Sequence, residues 1–290
     1  MSALINPFAP FDAELAAALR RDVERALEED VGSGDVTGRL LPQNRQLRAR
    51  VIVRESATLC GAPWFEGVFA RLDPAVRIDW RQAEGACMGA GSEVCTIDTS
   101  ARTLLTAERT ALNFLQLLSG VATKARTYVD AVAGTRAKIL DTRKTLPGLR
   151  LAQKYAVRVG GAHNHRMALY DGILIKENHI AAVGGIEAAY RAAQALDGGV
   201  PIQIEVETQA QLDEALAAGA GSILLDNFTI ESMREAVRRT AGRAVLEASG
   251  GVTLDSVRAI GETGVDRISV GSLTKDVRAT DYSMRVIRAD

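Results

Sequence analysis

Apolar positions fall into two different patterns along the chain, and the change comes after Val132. In the first third, Leu15, Leu19, Val23 and Leu27 recur four apart with charges between them, which predicts an amphipathic helix over Asp12 to Leu27, with Pro10 and Asp12 as start signals. Leu47, Ala49, Val51 and Val53 alternate with polar partners, the period of a half-buried strand. Short strand-like runs follow at Ala75 to Trp80 and Glu93 to Asp98, with the helical APWFEGVFARL before them. These runs predict a mixed α+β domain with an antiparallel sheet. Thr103 to Leu118 is a strongly periodic helix that Ser119 and Gly120 are expected to interrupt.

Beyond Val132 short aliphatic runs alternate with helical segments: AKILD, DGILIK, PIQIEVE, SILLD, AVLEAS and DRISVG. Their spacing of about 20 to 35 residues is that of β-α units whose strands are buried on both faces. TQAQLDEALAAG and TIESMREAVRRT are helical by composition and period. A parallel (β/α) barrel of about six strands accounts for this pattern, although an open doubly wound sheet shares the signature.

Polar residues recur at the ends of those strands. AKILD delivers Asp141 and then Thr142, Arg143 and Lys144; DGILIK delivers Lys176; PIQIEVE delivers Glu205 and Glu207; SILLD delivers Asp226; AVLEAS delivers Glu247 and Ser249; DRISVG leads to Val270, Gly271 and Ser272. Barrel active sites are built on the carboxyl ends of strands, so these side chains are expected to share one mouth.

Charge sharpens that picture. The 290 residues carry a formal net charge of -1, which excludes a nucleic-acid binder acting through overall charge and leaves anion binding to a local cluster. That cluster is Asp141 to Lys176, where Arg143, Lys144, Arg150, Lys154, Arg158, His165, Arg166 and Lys176 lie among turns at Pro147, Gly148, Gly160 and Gly161. Glu205 and Asp226 sit at equivalent ends of successive strands. They suit magnesium bound directly or through water with a substrate phosphate, or else each is an ion-pair partner of a neighbouring lysine. The small residues of Ser249, Gly250, Gly251 and of Gly271, Ser272 fit a phosphate loop, with plain turns as the alternative.

Other motifs are weaker. His163 and His165 flank Asn164, but two histidines two apart share no helix face, so a transition-metal site is disfavoured; His165 reads as a substrate donor, and His163 and His179 as surface or packing residues. GAGS at Gly89 to Ser92 reads as a turn, and the acidic EEDVGSGDVT as a turn or a ligand loop in which Asp35 bonds nearby amides. Arg109 by itself is a solvated or salt-bridged helix arginine. Cys60, Cys87 and Cys95 lack paired zinc-ligand spacing and predict reduced thiols. The first residues lack a signal-peptide pattern, and no apolar run reaches the length of a membrane span, which together predict a cytoplasmic protein without membrane partners.

ERTALNFLQLLSGVAT, DTRKTLPGLRLAQKYAVRVGG and NHRMALYDGILIKENHI closely resemble quinolinate phosphoribosyltransferases, and EEDVGSGDVT, IEVE, LLDNF, EASGG and SVGSLT resemble the same family in order. One departure is Ala162, where many members have a further glycine. The resemblance implies an N-terminal α/β sandwich over 1–118, an incomplete parallel α/β barrel over 119–274, and a tail over 275–290 returning to the first domain. It implies transfer of phosphoribose from 5-phosphoribosyl 1-pyrophosphate to quinolinate with decarboxylation. Arg143, His165, Arg166 and Lys176 would then bind quinolinate, joined by Arg109 from the partner of a homodimer, with Thr142 beside them. Lys144 would serve both reactants, Glu205 and Asp226 the ribose and Mg2+, and Ser249 to Gly251 with Val270, Gly271 and Ser272 the 5'-phosphate. A relative acting on nicotinate without decarboxylation, and a non-catalytic anion binder, remain as alternatives.

Overall fold

A computed structural model describes residues 2–42, 45–196 and 198–289. In chain order the first elements are α1 (Ala13–Val31), β1 (Gln46–Val53), β2 (Ala57–Thr58), α2 (Ala62–Leu72), β3 (Arg77–Trp80), β4 (Cys87–Met88), β5 (Glu93–Ser100) and α3 (Ala101–Ala131). They are followed by β6 (Lys138–Leu140), α4 (Arg150–Val159), β7 (Ile173–Ile175), α5 (Glu177–Val183), α6 (Ile186–Ala195), β8 (Ile202–Val206) and α7 (Gln209–Ala217). The last are β9 (Ser222–Asp226), α8 (Ile230–Thr240), β10 (Val245–Ser249), α9 (Leu254–Gly261), β11 (Arg267–Ser269), α10 (Ser272–Lys275) and β12 (Tyr282–Ala289).

Two compact units divide the chain, and neither is contiguous: one holds Met1–Arg126, Thr145–Gly161 and Thr274–Asp290, the other Thr127–Lys144 and Ala162–Leu273. The first has an antiparallel sheet in the order β12-β1-β5-β3 and a small β2-β4 pair. The alternation read from the sequence places Ala49, Val51 and Val53 fully out of water on one face of β1. Helix α1 begins where Asp12 accepts from the Leu15 amide at 2.8 Å, and it buries Leu15, Val23 and Leu27. On α2, Trp64, Phe65, Val68 and Phe69 are wholly buried, each worth roughly 1.5–3 kcal/mol of removed apolar surface.

Helix α3 corrects the expected interruption at Ser119 and Gly120, because it runs unbroken through both. The two small residues serve packing. Ser119 Oγ donates to the Cys60 carbonyl at 3.0 Å and accepts from the Cys60 amide at 2.9 Å, and a Cβ on Gly120 would come within 2.2 Å of the Arg278 carbonyl oxygen. A sequence reading sees a helix breaker where the fold needs a close backbone approach. The boundary expected at 118/119 therefore falls inside one continuous helix.

In the second unit six parallel strands take the order β6-β11-β10-β9-β8-β7, and each of the six aliphatic runs supplies one. Aside from the permuted position of β6, chain neighbours are sheet neighbours, which is barrel topology rather than a doubly wound order. The strands do not close: β6 and β7 are the ends of the sheet. Beside β6 the backbone of His163 adds a single parallel bridge to Leu140, its amide donating to the Ile139 carbonyl at 2.9 Å.

Candidate active site

All strands of the second unit point the same way, so their last residues collect at one end. Register decides which of those residues share a face. Glu205 pairs with Leu224, and Ser249 pairs with Asp226. Side chains two apart along a strand lie on one face, so Glu205, Asp226 and Ser249 project to the same side, on three adjacent strands. Lys176, one residue past β7, donates from Nζ to Glu205 Oε2 at 2.6 Å. Glu205 is nearly buried and Lys176 is 44% exposed, so the ammonium is open to solvent while holding a carboxylate that is not. The ion-pair reading of Glu205 is therefore its arrangement here, and an incoming cationic or metal-bound ligand competes with Lys176 for it.

The β6 end contributes Thr142, Arg143 and Lys144. The Lys144 amide donates to Thr142 Oγ1 at 3.1 Å, curling the chain back. A Cβ added to Gly271 would lie 3.1 Å from Lys144 Cδ and 3.8 Å from its Nζ, so glycine there lets the exposed lysine lie along the loop after β11. Val270 is buried behind that loop. After β10, Gly250 has φ +95° and Gly251 φ +59°, and a Cβ on Gly250 would meet Asn227 Oδ1 at 2.2 Å. Asn227, itself at φ +54°, donates from Nδ2 to Asp226 Oδ2 at 2.8 Å and from its amide to the Ser249 carbonyl at 3.0 Å. It orients the carboxylate while pinning the adjacent glycine loop. Asn227 lay in the LLDNF motif, but no spacing rule marked its role.

His165 and Arg166 enter from the segment beside β6. The His165 amide donates to Asp141 Oδ1 at 2.9 Å, and Asn164 Nδ2 donates to Asp141 Oδ2 at 2.6 Å. Asp141, fully buried, is thus a scaffold for the histidine segment rather than a mouth carboxylate. The Arg166 amide donates to His165 Nδ1 at 2.8 Å, and His165 Nε2 lies 3.0 Å from Gln203 Oε1. Gln203 Nε2 in turn donates to Glu247 Oε2 at 3.1 Å, and Ser269 Oγ donates to Glu247 Oε1. Both ring nitrogens of His165 have partners within the protein, and these contacts set the position of Arg166. Arg166 Nη1 donates to the Gly172 carbonyl at 2.8 Å, and burial, then Arg143, push its guanidinium below the ordinary value. Two arginines brought together in this way favour an anion between them.

His179, read as surface or packing, instead braces the backbone that carries Lys176, because its Nδ1 accepts from the Lys176 amide at 3.0 Å at the start of α5. The cationic stretch is also less unified than its sequence implied. Arg150, Lys154 and Arg158 lie on α4 in the first unit, where Lys154 is fully buried. Asp35 resolves to a turn, accepting from the Gly38 amide and the Thr106 hydroxyl at 2.8 Å each. Arg109 is exposed on α3 of the first unit.

Among the described residues no cluster of three or more His, Cys, Asp or Glu forms a protein-only metal cage. Two strand-end carboxylates with open coordination positions suit instead a hard cation that brings waters and substrate oxygens with it.

Residues 35–119 match the quinolinate phosphoribosyl transferase N-terminal domain and residues 121–285 the C-terminal domain of the same enzymes. The chain belongs to the quinolinate phosphoribosyl transferase family. It is 43% identical over 283 residues to the nicotinate-nucleotide pyrophosphorylase [carboxylating] of Mycobacterium leprae, covering 94% of this chain and 98% of the relative. It is 42% identical over 259 residues to a probable nicotinate-nucleotide pyrophosphorylase [carboxylating] of Bacillus subtilis, covering 89% and 90%. The nicotinate-nucleotide pyrophosphorylase structure from Francisella tularensis superposes with a TM-score of 0.91 at 41% identity, over 99% of this chain and 100% of that one. The family match runs through both units. No helix of the described residues is long and apolar enough to cross a membrane.

Proposed function

We infer that the chain transfers the phosphoribosyl group of 5-phosphoribosyl 1-pyrophosphate to the ring nitrogen of quinolinate, releasing pyrophosphate and CO2 and giving nicotinate mononucleotide for de novo NAD synthesis. The observation that carries this reading is the convergence, within one unit, of a cationic set (Arg143, Lys144, Arg166, Lys176) and a carboxylate pair (Glu205, Asp226) at the C-terminal ends of parallel strands. Simple anion capture needs only the first set. A diacid and a cationic reaction centre need both.

Arg143, Arg166 and Lys176 hold the two quinolinate carboxylates; the guanidinium forks suit planar groups. His165, Gln203 and Glu247 keep Arg166 in place. Lys144 lies beside the Gly271 loop, where it can neutralise phosphate or pyrophosphate, and Ser249, Gly250, Gly251, Val270, Gly271 and Ser272 cradle the 5'-phosphate. Glu205 and Asp226 face the ribose and the metal. These carboxylates would hold Mg2+, directly or through water, and the ion would supply charge neutralisation at the leaving group. The C1'–O bond breaks with its electrons leaving on pyrophosphate, and the carboxylates stabilise the positive charge that develops on ribose. The ring nitrogen, fixed by the arginines, forms the new C1'–N bond; positioning rather than a base promotes this step. The bond to the adjacent carboxylate then breaks, CO2 departs, its electrons are drawn toward the cationic nitrogen, and a proton from solvent takes its place.

A homodimer in which Arg109 completes the partner's quinolinate site is part of the same proposal. Its support is the surface around Arg109: Leu105 precedes it by one turn and is 44% exposed, and Val36 and Leu40 are 74% and 82% exposed in the segment that Asp35 ties to Thr106. Cytoplasmic location completes the reading.

Quinolinate labelled in its 2-carboxyl group tests the reaction. Labelled CO2 is expected to appear only when 5-phosphoribosyl 1-pyrophosphate and Mg2+ are both present. Nucleotide formation without that release, or calorimetric binding of quinolinate without turnover, would overturn it.

A further inference from the structure

The opposite end of the barrel holds a second concentration of cations. A cavity of about 590 Å³ opens there, and the first residue of every strand lines it: Lys138, Ile173, Ile202, Ser222, Val245 and Arg267. This volume lies within the range of small-molecule sites. Lys144, Lys176, Glu205, Asp226 and the glycine loops lie outside its lining, while His165 and Arg166 border it from the side of the strand-end site. We propose that this cavity is a second binding site, for a small molecule carrying two or more phosphate or carboxylate groups on a compact, partly apolar body.

Like charges gather at its rim. Lys138 and Arg267 are paired in register on adjacent strands, so their side chains leave the sheet on the same face. His163 joins them, and burial, then Lys138, then Arg267 hold its imidazolium below the ordinary value. Among the described residues neither Lys138 nor Arg267 makes an ion pair, and Arg267 is half-buried. The carboxylates near by are already engaged. Asp171 accepts from the amides of Met167 and Ala168 at 2.7 and 2.8 Å. Glu247, in register with Arg267, is turned to Ser269 and Gln203. Lys138 and Arg267, two cations held side by side with neither in an ion pair, cost stability, and a bound anion would offset that cost, with the His163 imidazole beside them as a further polar group. The Ser222 hydroxyl adds a donor, and Ile173, Ile202 and Val245 supply apolar wall for the body of the ligand. The inner wall is the hydrogen-bonded pair of His165 and Gln203. This site is inferred from charge and shape, and Lys138 and Arg267, on which it rests, take no part in the reaction proposed for the strand ends.

Inorganic pyrophosphate is a suitable probe, and the three histidines give three Hε1 signals, that of His163 assigned by a His163→Gln variant. In the wild-type protein the His163 signal is expected to shift saturably on titration. In a Lys138→Ala/Arg267→Ala double variant the half-saturating concentration should rise at least about ten-fold, and in Lys138→Ala alone, an exposed position, roughly five-fold. A shift of the His179 signal alone, with His163 unmoved, would place the pyrophosphate at the other end and overturn the proposal. A His163 signal unmoved up to roughly 10 mM pyrophosphate, where any site worth more than about 3 kcal/mol would fill, overturns the proposal. So does an undiminished His163 response in folded Lys138→Ala or in the double variant.

Discussion

The backbone amide of Arg166 donates to Nδ1 of His165 at 2.8 Å, and an amide can only donate, so the proton of the neutral imidazole sits on Nε2, facing Gln203 Oε1 at 3.0 Å. The histidine is thereby a bracket between a buried amide side chain and Arg166, for which we propose contact with the substrate. Replacing Gln203 by leucine removes the acceptor and frees the ring. We expect the KM for quinolinate to rise about ten-fold, the equivalent of one lost hydrogen bond, with a smaller change in kcat. Nitrogen-15 spectra of the wild type should show the Nε2–H tautomer; an Nδ1–H tautomer would contradict the arrangement.

Lys176 and Glu205 separate charge from stability. Because the lysine is 44% exposed, its ion pair at 2.6 Å contributes less than about 1 kcal/mol to folding. Under the proposed contact with a substrate carboxylate, its loss costs more there. Lys176→Ala is expected to lower kcat/KM by at least about one hundred-fold while the melting temperature moves by only a few degrees. A large fall in melting temperature would make the pair structural instead.

Mixing Arg109→Ala with Lys176→Ala protein tests the shared site. Heterodimers would contain one intact site, so activity should return to a fraction of wild type once subunits exchange. Verified exchange with no recovery would show that Arg109 does not act across an interface.

Gly120 tests the continuous helix. Alanine would place its Cβ 2.2 Å from the Arg278 carbonyl oxygen, backbone that a side-chain rotation cannot clear. The expected destabilisation is about 3 kcal/mol or more, against a gain of roughly 1 kcal/mol if Gly120 were an ordinary exposed helix glycine. The sign of the change in unfolding free energy decides.

Glu84 makes stability depend on pH. Its carboxylate accepts from the Gly61 amide at 2.8 Å and the Tyr155 hydroxyl at 2.9 Å, but burial dominates and pushes its pKa from 4.5 up to about 7. The folded state therefore keeps a proton that the unfolded chain loses above pH 4.5. This contribution is fully present below 4.5 and lost as pH rises through about 7, a decline on the order of 3 kcal/mol. Denaturant titrations at about pH 5 and pH 8 should show it in the wild type and a flatter profile in Glu84→Gln.

Local patterning was enough to place the elements and to find the end of the barrel where polar residues gather. Periods of two and of about 3.6 report local burial, and each of the six aliphatic runs became a strand because buried parallel strands need continuous apolar side chains. Lys176, Glu205, Asp226 and Ser249 could be named because strand ends are legible in one dimension. What they touch could not. Whether Glu205 meets a lysine depends on the register of β7 against β8, and the roles of Asn227, Gln203 and His179 depend on hydrogen bonds that no spacing rule marks. Ser119 and Gly120 show the same limit from the other side: local propensity breaks the helix there, while tertiary packing requires two small residues and keeps it whole. The cationic cavity at the strand starts was likewise invisible, since Lys138, His163 and Arg267 are far apart in sequence and become neighbours only through the parallel pairing of β6 with β11 and the bridge of His163 to Leu140.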